Sequence, residues 1–456
     1  MTTKTQSTIP SPDDSLRQLL GKTIACECGR DHVVTTQFAV VERGAIQNLG
    51  ESTRRAGLGS NVALLADPET FAAAGADARA SLEAAGFNVD LIMLSHHPVA
   101  GPETIAQTRE ALKPGQQLVA LGAGTVNDIA KSTAHALGQP YVVAGTALSM
   151  NGYTSAISAL LEGGVKRTVP AAPPVAVVLD LDICASAPLV MTRAGLGDML
   201  SKPFSEADWR LATGLDGGYY CDRPGSMLTD AFDRMCAAAA GIGRGDADAL
   251  APLAEAILLS GVAMAMAGQS SPASGGEHLI SHYWDMGRYA VDEHPFALHG
   301  AQVGVACCVI EPLHLRAFSA GRKPFDVDAL LSRWPTSAVQ NEAAIRTRHL
   351  SLPASVVDGI VEQAQQKWRP PNEQRARLER MRIVLPNVVE HCSQALLAPD
   401  TVRQALLAAN APTVPSQIAP HLDGSIDDWT HVRDMRSRYT VLDLAAELDL
   451  LNPLEG

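Results

Sequence analysis

The sequence LVALGAGTVNDIAKSTAHALG, residues 118–138, is the clearest indication of the fold of this 456-residue chain. Its first four residues are apolar, as in a buried strand, and the next four contain two glycines. Residues 126–137 then carry apolar side chains at helical spacing, and Gly138 follows as a typical helix terminator. The stretch therefore predicts a strand, a tight glycine turn and a helix.

A glycine turn that leads into a helix can bind a phosphate group. Gly122 and Gly124 would let backbone N–H groups approach the anion, and the helix dipole favours negative charge at this end. The usual dinucleotide pattern has a third glycine where this chain has Asn127, and Asp128 follows it. Because an inward carboxylate would repel phosphate, we expect Asp128 to face a neutral part of a cofactor or the substrate. The alternative is a turn that binds nothing.

Strand and helix patterns alternate before this stretch. Residues 61–66 and 89–94 are strand-like, and residues 69–85 and 105–112 have helical spacing. Such alternation predicts a parallel sheet whose ligands bind at the carboxyl ends of the strands. Asp67 follows the first of these strands, where its carboxylate could accept hydrogen bonds from the ribose of NAD. It could equally be a turn residue without a ligand.

The character of the sequence changes after residue 187. The last clear strand pattern covers residues 175–181, and helical spacing dominates from there to the C-terminus. We therefore predict a disordered polar tail at residues 1–20, a Rossmann-like α/β domain at residues 21–187 and an all-helical domain at residues 188–456, extended by further helices from about residue 325.

The composition excludes several classes of protein. A net charge of −13 argues against a nucleic-acid surface, and eight scattered cysteines argue against a disulfide framework. The first residues lack the apolar segment of a signal peptide. Residues 251–267 are the longest apolar stretch, but they are short for a membrane span and contain Glu255. We expect a soluble cytoplasmic protein with no nucleic-acid partner and no membrane insertion.

Cys26, Cys28 and His32 have a spacing that suggests metal ligands. A closed structural zinc site normally has four ligands, however, and only three candidates are present in this segment. The sequence therefore favours a strand that enters a turn at Gly29, with a metal site as the alternative.

The predicted helical domain contains three segments rich in acidic and imidazole side chains. His278 and His282 are four residues apart and share one face of a helix, and Asp198 and His299 could converge on them. Three protein ligands and an open position are what a catalytic divalent metal needs. A histidine pair at this spacing also occurs on helices that bind no metal, so spacing alone leaves both interpretations open.

Several motifs together resemble those of the sn-glycerol-1-phosphate dehydrogenases, including the AraM-type bacterial branch. Between residues 24 and 304 they are GAGTVNDIAK, TALSMNGYTS, GGVKRTVPAAPPVAVVLDLDI, AGLGDMLSK, GGEHLISH and LHG, in that order. This family belongs to the superfamily of iron-containing alcohol dehydrogenases and dehydroquinate synthase. The resemblance implies a dehydroquinate synthase-like fold and a homodimer or larger homo-oligomer.

The same resemblance assigns residues to two cofactors. A nicotinamide dinucleotide, NAD with NADP as the alternative, would contact Gly122, Gly124, Thr125, Asn127, Thr146 and Ser149. A divalent metal, zinc with nickel or iron as alternatives, would bind to Asp198, His278 and His299.

Other residues would lie beside the substrate by this resemblance. His282 and Asp128 would stand near the reacting carbon and transfer a proton. Lys166, Arg167 and Lys202 are candidates for a substrate phosphate because of their charge and their closeness to the motifs. Solvated surface cations are the alternative for all three.

The implied reaction is reversible hydride transfer between NAD(P)H and a ketone, most directly the reduction of dihydroxyacetone phosphate to sn-glycerol 1-phosphate. Two residues depart from the family loop PTAASMDG, since Gly145 replaces its proline and Asn151 replaces its aspartate. Three alternatives therefore stay open. They are a dehydroquinate synthase-like lyase without net redox change, a dehydrogenase of unphosphorylated alcohols or polyols, and an inactive nucleotide-binding paralogue.

Overall fold

The computed structural model describes residues 14–162, 165–289, 295–422 and 430–451. The chain forms two compact units. The first unit comprises Met1–Leu161, Thr168–Gly195 and Ser226–Gly268, and the second comprises Glu162–Arg167, Leu196–Gly225 and Gln269–Gly456.

Ten strands lie in the described part of the chain. They are β1 (Thr23–Ala25), β2 (Asp31–Val33), β3 (Phe38–Glu42), β4 (Asn61–Ala66), β5 (Asn88–Met93), β6 (Gln117–Leu121), β7 (Val142–Gly145), β8 (Ile157–Glu162), β9 (Val165–Pro170) and β10 (Ala176–Asp180).

A six-stranded parallel sheet forms the centre of the first unit, with the strand order β3-β10-β7-β6-β4-β5. Its inner strands consist almost entirely of buried valine, leucine and alanine, as expected for a sheet covered on both faces. Leu121 pairs with Ala144, and Gly145 pairs with Leu179, so the ends of β6, β7 and β10 meet at one edge. The strands predicted at residues 61–66, 89–94, 118–121 and 175–181 are confirmed to within one residue.

Twenty α-helices accompany the strands in the described residues. They are α1 (Asp14–Leu19), α2 (Leu49–Arg55), α3 (Pro68–Ala84), α4 (Pro102–Ala111), α5 (Gly124–Leu137), α6 (Leu181–Ser186), α7 (Leu189–Met199), α8 (Lys202–Asp216), α9 (Arg223–Ser226), α10 (Thr229–Ala237), α11 (Ala239–Arg244), α12 (Ala247–Ala267), α13 (Gly276–Tyr289), α14 (His299–Gly321), α15 (Val327–Leu331), α16 (Ala338–Arg348), α17 (Ala354–Gln365), α18 (Pro371–Ser393), α19 (Thr401–Ala408) and α20 (Val441–Glu447).

Two features differ from the expected division of the chain. Residues 1–13 of the predicted disordered tail lie outside the described residues, but α1 occupies the next six positions because Leu16 and Leu19 are buried there. The division at residue 187 also differs from the observed units. Helix α12 packs against α6, β2 and β3, so its segment belongs to the first unit rather than to the helical one.

Helices α12 and α14 are long and apolar enough to cross a membrane by length and composition alone. However, 78% and 61% of their most apolar windows are buried inside the structure. Burial of this extent is typical of core helices, which is the interpretation predicted for residues 251–267.

Candidate metal centre and cofactor site

Asp198, His278 and His299 lie together in the second unit. Their ligand atoms lie within 4.8 Å of one another, and the carboxylate and the first imidazole are buried. Glycines allow this approach, because a Cβ on Gly197 would lie only 2.3 Å from the carbonyl oxygen of Gly300. The backbones of α7 and α14 therefore touch one residue away from Asp198 and His299. The structure thus brings together the three predicted metal ligands.

Hydrogen bonds orient the two ligand histidines. His278 Nδ1 lies 2.8 Å from Glu277 Oε1, and its Nε2 lies 3.4 Å from Asp198 Oδ1. Because a carboxylate accepts hydrogen bonds, Nδ1 donates to Glu277, and Nε2 is the nitrogen that would share a metal with Asp198. His299 Nδ1 lies 3.1 Å from Ser281 Oγ. Both rings therefore have the outer hydrogen bond that metal-binding histidines commonly make.

The protonation states of Asp198 and His299 suit the binding of a cation. Burial opposes ionisation of Asp198, but the charge of Lys202 and the contact with His278 hold the pKa of its carboxyl well below the usual range. Burial and the charge of Lys166 keep the pKa of His299 well below its usual value, so its imidazole is neutral at pH 7. One carboxylate and two imidazoles form a donor set that fits zinc and other divalent transition metals.

His282 lies beside this group on the next turn of α13. Its ring centroid is 5.2 Å from that of His299 and 6.2 Å from that of His278. Its Nδ1 atom is buried and has no hydrogen-bond partner among the described residues. Burial, followed by the charge of Lys166, lowers its pKa well below the usual value. A neutral imidazole with one unused nitrogen is therefore available to a bound molecule.

The three predicted phosphate ligands occupy different environments. Lys166 contributes positive charge at His282 and His299. Arg167 is exposed and lies 3.4 Å from Glu162, so it forms a surface ion pair. Lys202 is buried, and its ammonium donates to Asp198 Oδ1, Ser201 Oγ and Ala273 O at 3.0–3.1 Å. These three bonds use every N–H group of Lys202, so this residue positions Asp198 instead of contacting a phosphate.

The C-terminal extension supplies a cation that the sequence did not reveal. The side chain of Arg436 donates to the carbonyl oxygen of Lys166 at 3.2 Å, and its charge also lowers the pKa of His282. Arg438 follows and donates to Ser270 Oγ at 2.7 Å, and burial lowers the pKa of its guanidinium to about 10. No motif surrounds these arginines, so only their position in the folded chain identifies them.

The predicted phosphate cradle lies at the carboxyl edge of the sheet in the first unit. Gly122 follows β6, and α5 begins at Gly124 without a side-chain cap or an acidic residue in its first turn. A Cβ on Gly122 would lie 2.6 Å from Val126, and one on Gly124 would lie 3.1 Å from Met150. Thr125 is exposed beside them. Uncapped N–H groups behind glycines fit an anionic pyrophosphate.

The loop after β7 packs next to this cradle. The backbone N–H of Thr146 donates to Gly122 O at 3.3 Å, and Tyr153 OH donates to Ala147 O at 2.7 Å. Ser149 follows half-buried in the same loop. A Cβ on Gly195 would lie 1.8 Å from Leu148 O, so this glycine is needed for α7 to contact the loop. The structure therefore places the predicted loop residues at the mouth of the cradle.

Asn127 and Asp128 are held by other parts of the first unit. Asn127 is buried and accepts a hydrogen bond from Tyr141 OH at 3.0 Å. Asp128 Oδ2 accepts a bond from Ala159 N at 3.3 Å, and its other oxygen lies 3.8 Å from Lys131 Nζ. The hydrogen bond to Tyr141 is a sufficient reason for an asparagine at position 127, whether or not a cofactor binds there. Asp128, by contrast, keeps a partly exposed carboxylate.

Two further positions concern the predicted cofactor contacts. Asp67 is the N-cap of α3, and its Oδ1 accepts hydrogen bonds from the backbone and the hydroxyl of Thr70 at 2.7 and 2.8 Å. The capping role is a sufficient reason for an aspartate at position 67, whether or not a ribose binds there. Asn151, which stands where the family has aspartate, donates to Ser260 Oγ at 3.1 Å.

Comparisons with known proteins place this arrangement in a family. A family model described as iron-containing alcohol dehydrogenase matches residues 40–188. The glycerol-1-phosphate dehydrogenase [NAD(P)+] of Halalkalibacterium halodurans is 33% identical over 299 residues, which are 63% of this chain and 73% of that protein. The protein of the same name from Geobacillus stearothermophilus is 30% identical over 355 residues, covering 75% of this chain and 86% of the relative.

Solved structures show the same fold at low sequence identity. Maleylacetate reductase from a Rhizobium species aligns with a TM-score of 0.56 at 17% identity, over 92% of this chain and 97% of that one. The NADH-dependent butanol dehydrogenase A of Thermotoga maritima aligns with a TM-score of 0.55 at 14% identity, over 92% and 98% of the two chains. The sequence matches show that the chain belongs to the glycerol-1-phosphate dehydrogenase family, within the superfamily of iron-containing alcohol dehydrogenases.

Proposed function

We propose that this protein is a metal-dependent oxidoreductase that reduces dihydroxyacetone phosphate to sn-glycerol 1-phosphate with NADH or NADPH. The observation that carries the proposal is the group of Asp198, His278 and His299, whose ligand atoms lie within 4.8 Å of one another. The names of the relatives support the same reaction. The proposed location is the cytoplasm, with a small phosphorylated ketone or alcohol as the partner.

The residues around the proposed metal suit carbonyl reduction. When bound, the metal would supply a Lewis acid for the carbonyl oxygen, and the nicotinamide would supply the hydride. Asp198 contributes the negative charge that a divalent ion requires, and Lys202 holds that carboxylate in place at 3.1 Å. Glu277 and Ser281 fix the orientation of the imidazoles. The donor atoms are therefore preorganised before any ligand binds.

Proton transfer is assigned to His282. Its Nδ1, which has no hydrogen-bond partner in the described part of the chain, can exchange a hydrogen bond with the substrate oxygen that becomes a hydroxyl. Because burial lowers its pKa, a proton that reaches this ring from solvent is passed on readily. Asp128 remains a predicted second group for proton transfer.

The substrate phosphate is assigned to Lys166 and Arg436. Both contribute positive charge at His282, and the hydrogen bond of Arg436 to Lys166 O keeps them adjacent. A phosphate dianion would offset the repulsion between these cations and would accept charge-assisted hydrogen bonds from them. Arg167 and Lys202 are left out of this assignment because they are paired elsewhere.

The coenzyme is assigned to the glycine cradle and the loop after it. Gly122, Gly124 and Thr125 would hold the pyrophosphate at the start of α5, while Thr146 and Ser149 would line the nicotinamide side. Asp67 remains a predicted contact of the ribose in addition to its capping role.

A substrate screen tests the proposed reaction. Protein loaded with zinc, nickel or iron is mixed with NADH or NADPH and with dihydroxyacetone phosphate, dihydroxyacetone or simple aldehydes, and coenzyme absorbance is followed. We expect stoichiometric oxidation with the phosphorylated ketone at the highest kcat/KM. Turnover with unphosphorylated compounds alone would contradict the substrate assignment. Absence of oxidation with every compound would favour a lyase or an inactive paralogue.

A further inference from the structure

The hairpin of β1 and β2 forms a compact turn around two cysteines. The strands pair antiparallel, with Ile24 opposite His32. Between them, Gly29 adopts a φ of +82°, a conformation that side chains rarely allow, and its N–H donates to Cys26 O at 3.0 Å. The strand and the turn at Gly29 that the sequence favours are therefore present, and they are compatible with a metal site in the same segment. It also folds Cys28 back toward the second strand.

The ligand atoms of the hairpin have metal-site geometry. The Sγ atoms of Cys26 and Cys28 and a ring nitrogen of His32 lie within 4.8 Å of one another. The separation between Cys28 Sγ and His32 Nε2 is 3.5 Å. A zinc ion with tetrahedral angles would separate a thiolate sulfur from an imidazole nitrogen by about 3.6 Å, given Zn–S and Zn–N bonds of about 2.3 and 2.05 Å. The pair is therefore already spaced for zinc.

A hydrogen bond fixes the histidine in the orientation that a metal needs. His32 is only 2% exposed, and its Nδ1 lies 2.9 Å from the carbonyl oxygen of Met266, near the end of α12. Because a carbonyl can only accept, Nδ1 carries the proton and Nε2 presents its lone pair toward the cysteines. A histidine held by a backbone carbonyl in this way is typical of zinc sites.

We propose that this hairpin binds a zinc ion through Cys26 Sγ, Cys28 Sγ and His32 Nε2. The thiols lose their protons to solvent on binding, and the two thiolates neutralise the charge of the ion. Three ligands leave one coordination position for a water molecule or a further side chain. The ion would tie the hairpin to α12 through His32. This site does not depend on the proposed reaction and shares no residue with the group of Asp198, His278 and His299.

Cobalt substitution of the full-length protein tests this site. Cobalt bound to thiolates gives an intense charge-transfer absorption in the near ultraviolet. A set of one carboxylate and two imidazoles cannot give it, because it contains no sulfur. We expect this absorption in the wild type and in Asp198→Asn. It should disappear in the Cys26→Ser/Cys28→Ser double variant, with the loss of one metal equivalent per chain.

A control variant and a second test variant accompany the cobalt experiment. Cys236→Ser removes a half-buried thiol of the same unit and should leave the absorption and the metal content unchanged. If the double variant does not fold, His32→Gln takes its place as the test. This variant keeps both thiols and should weaken zinc binding. A wild-type protein that takes up cobalt without thiolate absorption would overturn the proposal. So would a disulfide between Cys26 and Cys28 in protein purified under reducing conditions.

Discussion

Glutamine at position 277 would test how the outer carboxylate supports the proposed metal. Glu277 Oε1 accepts three hydrogen bonds, from His278 Nδ1 at 2.8 Å, Ser205 Oγ at 2.7 Å and Gly275 N at 2.9 Å. Burial opposes its ionisation, but the contact with His278 and these hydrogen bonds lower the pKa of the Glu277 carboxyl. The side chain is therefore a buried carboxylate. Its negative charge would strengthen the bond of a metal to the imidazole of His278.

The Glu277→Gln variant can keep the hydrogen bonds but loses the charge. A glutamine oxygen still accepts from His278, whereas the imidazole becomes a weaker donor of electrons to a metal. Changes of this kind typically lower metal affinity roughly 10- to 100-fold, which corresponds to about 1.4–2.7 kcal/mol. We expect a loss within this range, with turnover largely restored at saturating metal.

Chelator competition measures this loss directly. Zinc affinity is determined for the wild type, for Glu277→Gln and for the control Glu342→Gln, whose carboxylate forms a partly exposed ion pair with Arg346 in the same unit. The control should bind zinc like the wild type. Unchanged affinity in a correctly folded Glu277→Gln protein would refute the role given to this carboxylate.

Three further substitutions test other parts of the account. Arg436→Met should raise KM for dihydroxyacetone phosphate roughly tenfold and leave the kinetics with dihydroxyacetone unchanged. Arg346→Met is the control. Equal effects of Arg436→Met on both substrates would refute the phosphate contact. Gly195→Ala places a Cβ 1.8 Å from Leu148 O, so it should weaken NADH binding and lower the free energy of unfolding by about 1–3 kcal/mol. Fluorescence titration measures the binding and denaturant unfolding measures the stability. Unchanged NADH binding would argue against the loop assignment. Burial lowers the pKa of Lys131 to about 8 from 10.5. Between these two pH values the unfolded chain binds more protons at this position than the folded chain. The free energy of unfolding of the wild type, relative to that of Lys131→Met, should therefore rise with pH by up to about 3 kcal/mol. A difference that stays constant with pH would contradict this prediction.

The parallel sheet was predictable from sequence because its strands are short apolar runs between helices. Residues 118–138 predicted β6, the glycine turn and α5 almost to the residue. Strands β8 and β9 were missed, since they form a separate two-stranded sheet and lack a continuous apolar run. The grouping of α12 with the first unit was also missed. An apolar helix does not reveal which neighbours cover it.

The candidate metal centre was only partly predictable. Asp198, His278 and His299 are distant in sequence, so the resemblance rather than spacing brought them together. Glu277 and Ser281 were missed because an outer hydrogen bond depends on side-chain orientation. Charge and closeness to the motifs suggested a phosphate contact for Lys202, whose ammonium instead donates to Asp198. Arg436 lies in a segment without motifs, and the folded chain alone places it beside Lys166.

Removal and return of the metal show whether turnover depends on a divalent ion bound to Asp198. NADH oxidation with dihydroxyacetone phosphate is measured for the wild type and for Asp198→Ala, before and after treatment with a chelator and after zinc, nickel or iron is restored. We predict that chelation abolishes turnover and that a divalent ion restores it in the wild type but not in the variant. Full turnover of the chelated wild type, or full restoration of Asp198→Ala, would contradict the account.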